Sequence, residues 1–219
     1  MPFEFQPFPK MARLKRAVVI TEKIDGTNAA IRIVDSRTDH LFSEHDAEAF
    51  IAKVEVDGGY LGFLAQSRNR FLTPEKDNYG FAGWVQHNAV ELAELGEGIH
   101  FGEWWGMGIQ RNYGLKERRF SLFNSGRWVN LSADWLEEAD GRTQAPACCH
   151  VVPVLAHQDL SDTNVDRVLD MLRKQGSVAA PGFMRPEGIV VYHTHAKTYF
   201  KRTLENDEMG KEEAARKAA

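Results

Sequence analysis

Short runs rich in Val, Ile and Ala at residues 17–21 and 29–34 predict two β-strands. Between them lies Glu22-Lys23-Ile24-Asp25-Gly26-Thr27-Asn28, whose polar residues and glycine predict a turn. Residues 46–54 are expected to form a short helix. Over residues 81–95 the apolar positions Phe81, Trp84, Val85, Val90, Leu92 and Leu95 recur at helical spacing and stop before Gly96, which predicts a core-facing helix. Strands are expected over 99–105 and 119–123, separated by a glycine-rich loop from Gly106 to Gly114, and over 151–155. A second helix is expected over 165–172, with Val165, Val168, Leu169 and Leu172 on one face. Asp162 or Thr163 would cap it and Gly176 would stop it. A Pro/Gly stretch then leads to strands at 188–192 and 198–201. The Glu-, Lys- and Ala-rich tail, 205–219, is expected to be an exposed, fraying helix.

Composition narrows the class. The chain has 219 residues, room for one sizeable core, and no internal repeat or evident linker divides it. Hydrophobic residues at 43% and charged residues at 26% are ordinary soluble usage. The apolar runs are far shorter than a membrane span and no secretory segment is visible, so a cytoplasmic location is expected. A net charge of −4 argues against a protein that coats nucleic acid over its whole surface. It leaves room for a local basic groove from Arg68 and Arg70, or Arg111, Lys116, Arg118 and Arg119; a solvated basic face is the alternative. The adjacent Cys148 and Cys149 suggest no disulfide framework, and with only His150 beside them they are read as buried strand residues rather than a zinc cage. His193 and His195 alternate as metal ligands on one strand face would, but no third partner is in view and a surface pair near a turn is the simpler reading.

Lys23-Ile24-Asp25-Gly26 is the strongest short signal. A lysine amine attacks only when neutral, so a site using it needs desolvation or nearby positive charge. Alone, the segment reads equally as a surface lysine before a β-turn. The flanks favour chemistry. Glu22-Lys23-Ile24-Asp25-Gly26-Thr27-Asn28 resembles the first motif of the covalent nucleotidyltransferases, most closely the RNA ligase 2 and RNA-editing-ligase branch of the ATP-dependent RNA ligases. Further segments follow in that family's order. Ser67-Arg68-Asn69-Arg70 resembles motif Ia, Phe101-Gly102-Glu103-Trp104 motif III, and Phe120-Ser121-Leu122-Phe123 motif IIIa. Glu187-Gly188-Ile189-Val190-Val191 resembles motif IV and Tyr199-Phe200-Lys201-Arg202 motif V.

The resemblance implies an α+β nucleotidyltransferase, or ATP-grasp-like adenylation, domain of mainly antiparallel sheets flanked by helices. It would occupy residues 1–204, with 205–219 a charged tail. Lys23 would be the nucleophile, Lys201 the phosphate-contacting lysine, and Glu187 both catalytic and metal-associated. Asp25 would share the metal, although close relatives often carry histidine there. Glu22, Ile24, Asn28, Arg68, Glu103, Phe123 and Lys197 would contact the nucleotide, and Arg70 the RNA end. Glu103 would accept hydrogen bonds from ribose hydroxyls. Phe120 or Phe123 would stack on adenine, Phe123 being preferred because the family's stacking aromatic usually ends this motif. The family usually has two motif V lysines one residue apart; here Tyr199 and Thr203 flank Lys201, and Lys197 is the expected substitute if strand alternation carries it onto the same face.

The implied reaction uses ATP with Mg²⁺ or Mn²⁺, the ligands being oxygens. It joins RNA 3′-hydroxyl and 5′-phosphate ends through lysyl-AMP, and a separate protein partner for end joining is conceivable. A DNA ligase or GTP-using capping enzyme is the nearest alternative. Those enzymes normally follow motif V with an OB domain, and only a short charged tail is expected here. A non-catalytic nucleotide- or RNA-binding module is the alternative of another class, and it has no need of an amine nucleophile.

Overall fold

Strands dominate the chain, as its β-branched runs predict. The computed structural model describes residues 4–38, 46–130, 141–205 and 207. It opens with β1 (Ala17–Lys23), β2 (Thr27–Asp35), β3 (Ala52–Val56), β4 (Gly59–Ser67) and β5 (Phe71–Leu72). Helices α1 (Phe81–His87) and α2 (Ala89–Leu92) precede β6 (Gly98–Gly106), β7 (Arg118–Leu122), β8 (Trp128–Val129) and β9 (Thr143–Gln144). After these come β10 (Cys149–Val151), β11 (Val154–Asp159), α3 (Asp162–Gln175), β12 (Gly188–His193) and β13 (Thr198–Thr203). The architecture is mixed α+β, mostly strand with few helices. Among the described residues no helix is long and apolar enough to cross a membrane.

The chain divides into two compact units. The first takes Met1–Lys23, Val154–Gly176 and Met184–Ala219. Its antiparallel sheet has the order β11-β1-β12-β13. Val165, Val168, Leu169 and Leu172 of α3 form an i, i+3, i+4, i+7 stripe and bury against Val18, Ile20, Ile189 and Val191. Helix α3 starts where Ser161 accepts a hydrogen bond from the Asn164 amide at 3.2 Å, and it stops at Gly176, whose φ of 82° only glycine adopts readily. The cap is therefore Ser161, just before the expected Asp162 or Thr163.

The second unit takes Ile24–Pro153 and Ser177–Phe183. Its main sheet has the order β10-β7-β6-β2-β4-β3, with β5 on β4. One face carries Ile31, Ile33, Phe63, Trp104 and Phe120 into a core with Phe81, Val85 and Leu92 of α1 and α2. Stacked and tilted rings of Phe81, Trp84, Trp104 and Phe120 fill its centre.

Several expected elements change. The helix expected over 46–54 shrinks to a 3₁₀ turn at Asp46–Ala49, and Ala52–Val56 instead pairs with β4, its burial alternating with period two. The helix expected over 81–95 breaks at Asn88, whose side chain donates to the Trp84 carbonyl at 2.8 Å. The strand expected over 151–155 is two: Pro153 separates β10, which pairs with β7, from β11, which pairs with β1. Cys149 is the expected buried strand residue, while Cys148 is half-buried. The helix expected in the tail lies outside the described residues, apart from Glu205 and Asp207.

Candidate active site

In the first unit, strand alternation sorts the chemistry-bearing residues. Val18, Ile20 and Glu22 of β1 oppose His193, Val191 and Ile189, on the face covered by α3. Val19, Thr21 and Lys23 therefore point to the other face. Lys201 pairs with Val190, which opposes Thr21, and so shares the face of Lys23. At the end of β1, Lys23 opposes Gly188, and its Nζ donates to Glu187 Oε2 at 2.6 Å. The pair is well sheltered, with side-chain exposures of 20% for Lys23 and 5% for Glu187. Glu187 is held in place by its own backbone, whose carbonyl accepts from the Leu204 amide at 2.9 Å. Gly188 admits the close approach of β13, since a Cβ there would collide with the Arg202 carbonyl oxygen.

In the second unit, the turn after Lys23 is pinned from several sides. The Gly26 amide donates to Glu103 Oε1 at 3.0 Å and the Asp25 amide to the Tyr113 hydroxyl at 2.8 Å. Arg111 Nε donates to Asp25 Oδ2 at 3.1 Å. Tyr113 sits edge-on to Trp105, with ring centroids 4.9 Å apart, and against Phe183 at 4.6 Å. Its φ of 53°, like those of Gln110 and Asn112, is left-handed, a conformation that persists where surroundings over-determine it. A Cβ on Gly26 would lie 2.5 Å from the Trp104 carbonyl oxygen and 2.7 Å from Trp105 Cβ. Gly26→Ala is accordingly expected to cost about 1–3 kcal/mol through overpacking, read as a lower denaturation midpoint. An unchanged midpoint would show that the turn has room to move.

The remaining expected residues fall into place unevenly. Asn28 lies directly opposite Glu103 across β2 and β6, and Ser121 flanks Glu103 on the other side. Phe120 is fully buried in the core, whereas Phe123 is half-buried beside Ile24, Trp105 and Tyr113. Glu22 is 1% exposed and points to the α3 face of its sheet, away from Lys23. Arg68 is exposed. Arg70 donates to the carbonyls of Phe71, Lys76 and Asp77 and so fastens the loop after β5. Lys197 departs from the expected alternation: β13 begins at Thr198, and Lys197 occupies the preceding turn at φ 51°, its amide donating to the His193 carbonyl. His193 is buried rather than on the surface, its ring bridging the Leu14 carbonyl and the Ala196 amide.

Tyr113 and Arg111 escaped the sequence reading as partners of Asp25, because nothing in a glycine-rich loop announces contacts so far back along the chain. The only available signal was an aromatic at the loop's end. Among the described residues no group of three or more His, Cys, Asp or Glu side chains is arranged as a metal cage. Magnesium-type sites need no such cage, since they use one or two carboxylates together with waters and substrate phosphates. Glu187, an oxygen donor beside Lys23, fits that chemistry. Asp25, expected to share the metal, is ion-paired with Arg111.

The RNA ligase family model matches residues 16–206, and the chain belongs to that family. No curated protein matches it in sequence. The chain is similar to solved structures of a Naegleria gruberi RNA ligase. With the form described as bound to PPi it shares 20% identity at a TM-score of 0.48, over 85% of this chain and 49% of that one. With a mutant described as holding ATP and Mn the values are 18% and 0.47, over 86% and 50%. A mutant with AMP and Mn gives 20% and 0.49, over 84% and 48%. The chain thus spans about half the length of these proteins.

Proposed function

We propose that the protein is an ATP-dependent RNA ligase that seals 3′-hydroxyl to 5′-phosphate ends through covalent lysyl-AMP, with residues 1–204 as its nucleotidyltransferase domain. The observation that carries this reading is the sheltered Lys23–Glu187 pair at the end of β1, on the same sheet face as Lys201. Membership of the RNA ligase family supports the substrate class.

In the first step Lys23, having given up a proton, attacks the ATP α-phosphorus. A P–N bond forms, the bond to the bridging oxygen breaks, and pyrophosphate leaves. An RNA 5′-phosphate oxygen then attacks the adenylyl phosphorus, and the P–N bond breaks as Lys23 regains a proton. The 3′-hydroxyl finally attacks the activated 5′-phosphorus, forming the phosphodiester and releasing AMP. Phosphoryl chemistry of this kind asks the protein for positioning and charge neutralisation. Lys201 offsets negative charge at the α-phosphate. Glu103 accepts from the Gly26 amide with one oxygen, and its carboxyl is the group proposed to receive ribose hydroxyls. Phe123 supplies an adenine-stacking ring, and Asn28 and Arg68 complete the nucleotide contacts. Arg70, the expected RNA-end contact, serves through the loop it fastens. A divalent cation, Mg²⁺ or Mn²⁺, would be held by Glu187 and would supply positive charge beside the phosphates.

Incubation with α-labelled ATP and Mg²⁺ before denaturing electrophoresis tests the first step. The protein should retain label, GTP should label it poorly, and the label should chase into a 5′-phosphorylated RNA. A protein that stays unlabelled under Mg²⁺ and Mn²⁺ is a binding module instead. Preferential labelling by GTP would point to capping-type chemistry.

A further inference from the structure

The segment before β1 presents a pattern that the catalytic reading does not use. Residues 4–13 adopt neither helix nor strand, and every one is exposed. Phe5, Phe8, Met11 and Leu14 are 85%, 82%, 83% and 76% exposed, an unusual display for large apolar side chains. They recur every third residue. Lys10, Arg13 and Arg16 recur with the same period one position earlier, Lys15 adds a further cation, and Glu4 is the only acid of the stretch. Pro7 and Pro9 fix φ, remove backbone donors and disfavour helix for the residues before them. A chain so constrained favours the polyproline conformation of about three residues per turn. That period lines the apolar side chains along one edge and the cations along the adjoining one.

The root of this segment is fixed. The Leu14 carbonyl accepts from His193 Nε2 at 2.9 Å, and the Arg16 carbonyl accepts from the Leu160 amide at 3.0 Å. Strand β1 leads from that root to Lys23, so Arg16 and Lys23 are about 23 Å apart at ~3.3 Å per residue. That distance equals about seven nucleotides of a stacked strand at ~3.4 Å each.

We propose that residues 5–16 form an RNA-binding arm that grips single-stranded RNA some way from the joining site, Phe5 and Phe8 stacking on bases while Lys10, Arg13, Lys15 and Arg16 meet phosphates. The assignment rests on the RNA ligase reading for its ligand. Charge complementarity carries it: in a chain of net charge −4, Lys10, Arg13, Lys15 and Arg16 gather on an exposed segment that also offers the aromatic faces of Phe5 and Phe8, the combination used by proteins that hold single strands. A protein groove taking the same segment would have to be both apolar and acidic.

The test compares full-length wild type with Lys10→Glu/Arg13→Glu and with Phe5→Ala/Phe8→Ala, all at exposed positions beyond the root. Lysyl-AMP formation with ATP alone should be unchanged. In sealing, the KM for RNA of about twenty nucleotides should rise roughly tenfold in either variant, with kcat unchanged. The KM for an RNA of about four nucleotides, too short to reach the arm, should not move. Fluorescence anisotropy with the longer RNA should show the charge variant's salt dependence weakened, by about 1.4 in the slope of log K against log salt. Equal KM increases for long and short RNA would overturn the arm, because they would mean the substitutions disturb the active site. Unchanged KM and anisotropy would overturn it too, and would give the segment to a protein partner. Should the wild type form no lysyl-AMP, the enzymatic reading fails, while anisotropy still decides whether the arm holds RNA.

Discussion

Lys23→Ala and Lys23→Arg are both expected to yield no labelled protein after incubation with α-labelled ATP and a divalent cation. Alanine removes the only atom that the mechanism allows to bond the adenylyl phosphorus. Arginine keeps the positive charge facing Glu187, but its guanidinium stays protonated and does not attack. The two variants differ in stability. Removal of the ammonium leaves the Glu187 carboxylate, 5% exposed, without the partner now 2.6 Å away. Lys23→Ala should therefore lose on the order of 1–3 kcal/mol, measured by denaturant titration, and Lys23→Arg less. A folded Lys23→Arg protein that labels at the wild-type rate would place the nucleophile elsewhere. Retained labelling in both would remove Lys23 from the chemistry.

The parts of the proposed site that can be read from the sequence are those whose chemistry is local. Lys23 and Glu187 announce themselves by residue type at the end of, or just before, a β-rich run, Glu103 by a carboxylate within one, and the alternation of β12 and β13 puts Lys201 on the face of Lys23. What stayed hidden depends on the chain returning from afar. Tyr113 and Arg111 reach Asp25 across 88 and 86 residues, from a loop without periodicity. Strand alternation does not reach Lys197, which precedes β13 in a turn closed by its own amide on the His193 carbonyl. The hairpin β3–β4 was obscured by the helix-forming Asp46-Ala47-Glu48-Ala49, which outweighed the five-residue alternation that follows. The two units could not be read from composition, because each is assembled from separate stretches of chain with no linker between them.

Glu187 carries the second large effect. Glu187→Gln keeps the side chain's size and removes its charge, so the packing before β12 is spared while Lys23 loses its ionic partner and the cation its carboxylate. Adduct formation should fall by about 10²–10³-fold, the scale of one strong electrostatic contact at a reacting phosphate. The form of the loss separates the two roles that Glu187 is given. As a metal holder, it should shift the cation titration, so that the variant needs more Mg²⁺ or Mn²⁺ to reach its own maximum and recovers part of its rate there. As an orienting partner of Lys23 alone, it should leave the titration midpoint where it was and lower only the plateau. Glu187→Asp discriminates further: a shortened carboxylate still binds a cation but retreats from Lys23 Nζ, so a metal role predicts a milder defect than Gln and a purely orienting role predicts a similar one. Single-turnover labelling across a cation series reads all three proteins. A wild-type rate with a wild-type titration in Glu187→Gln would take Glu187 out of the site and leave the 2.6 Å pair as a structural ion pair.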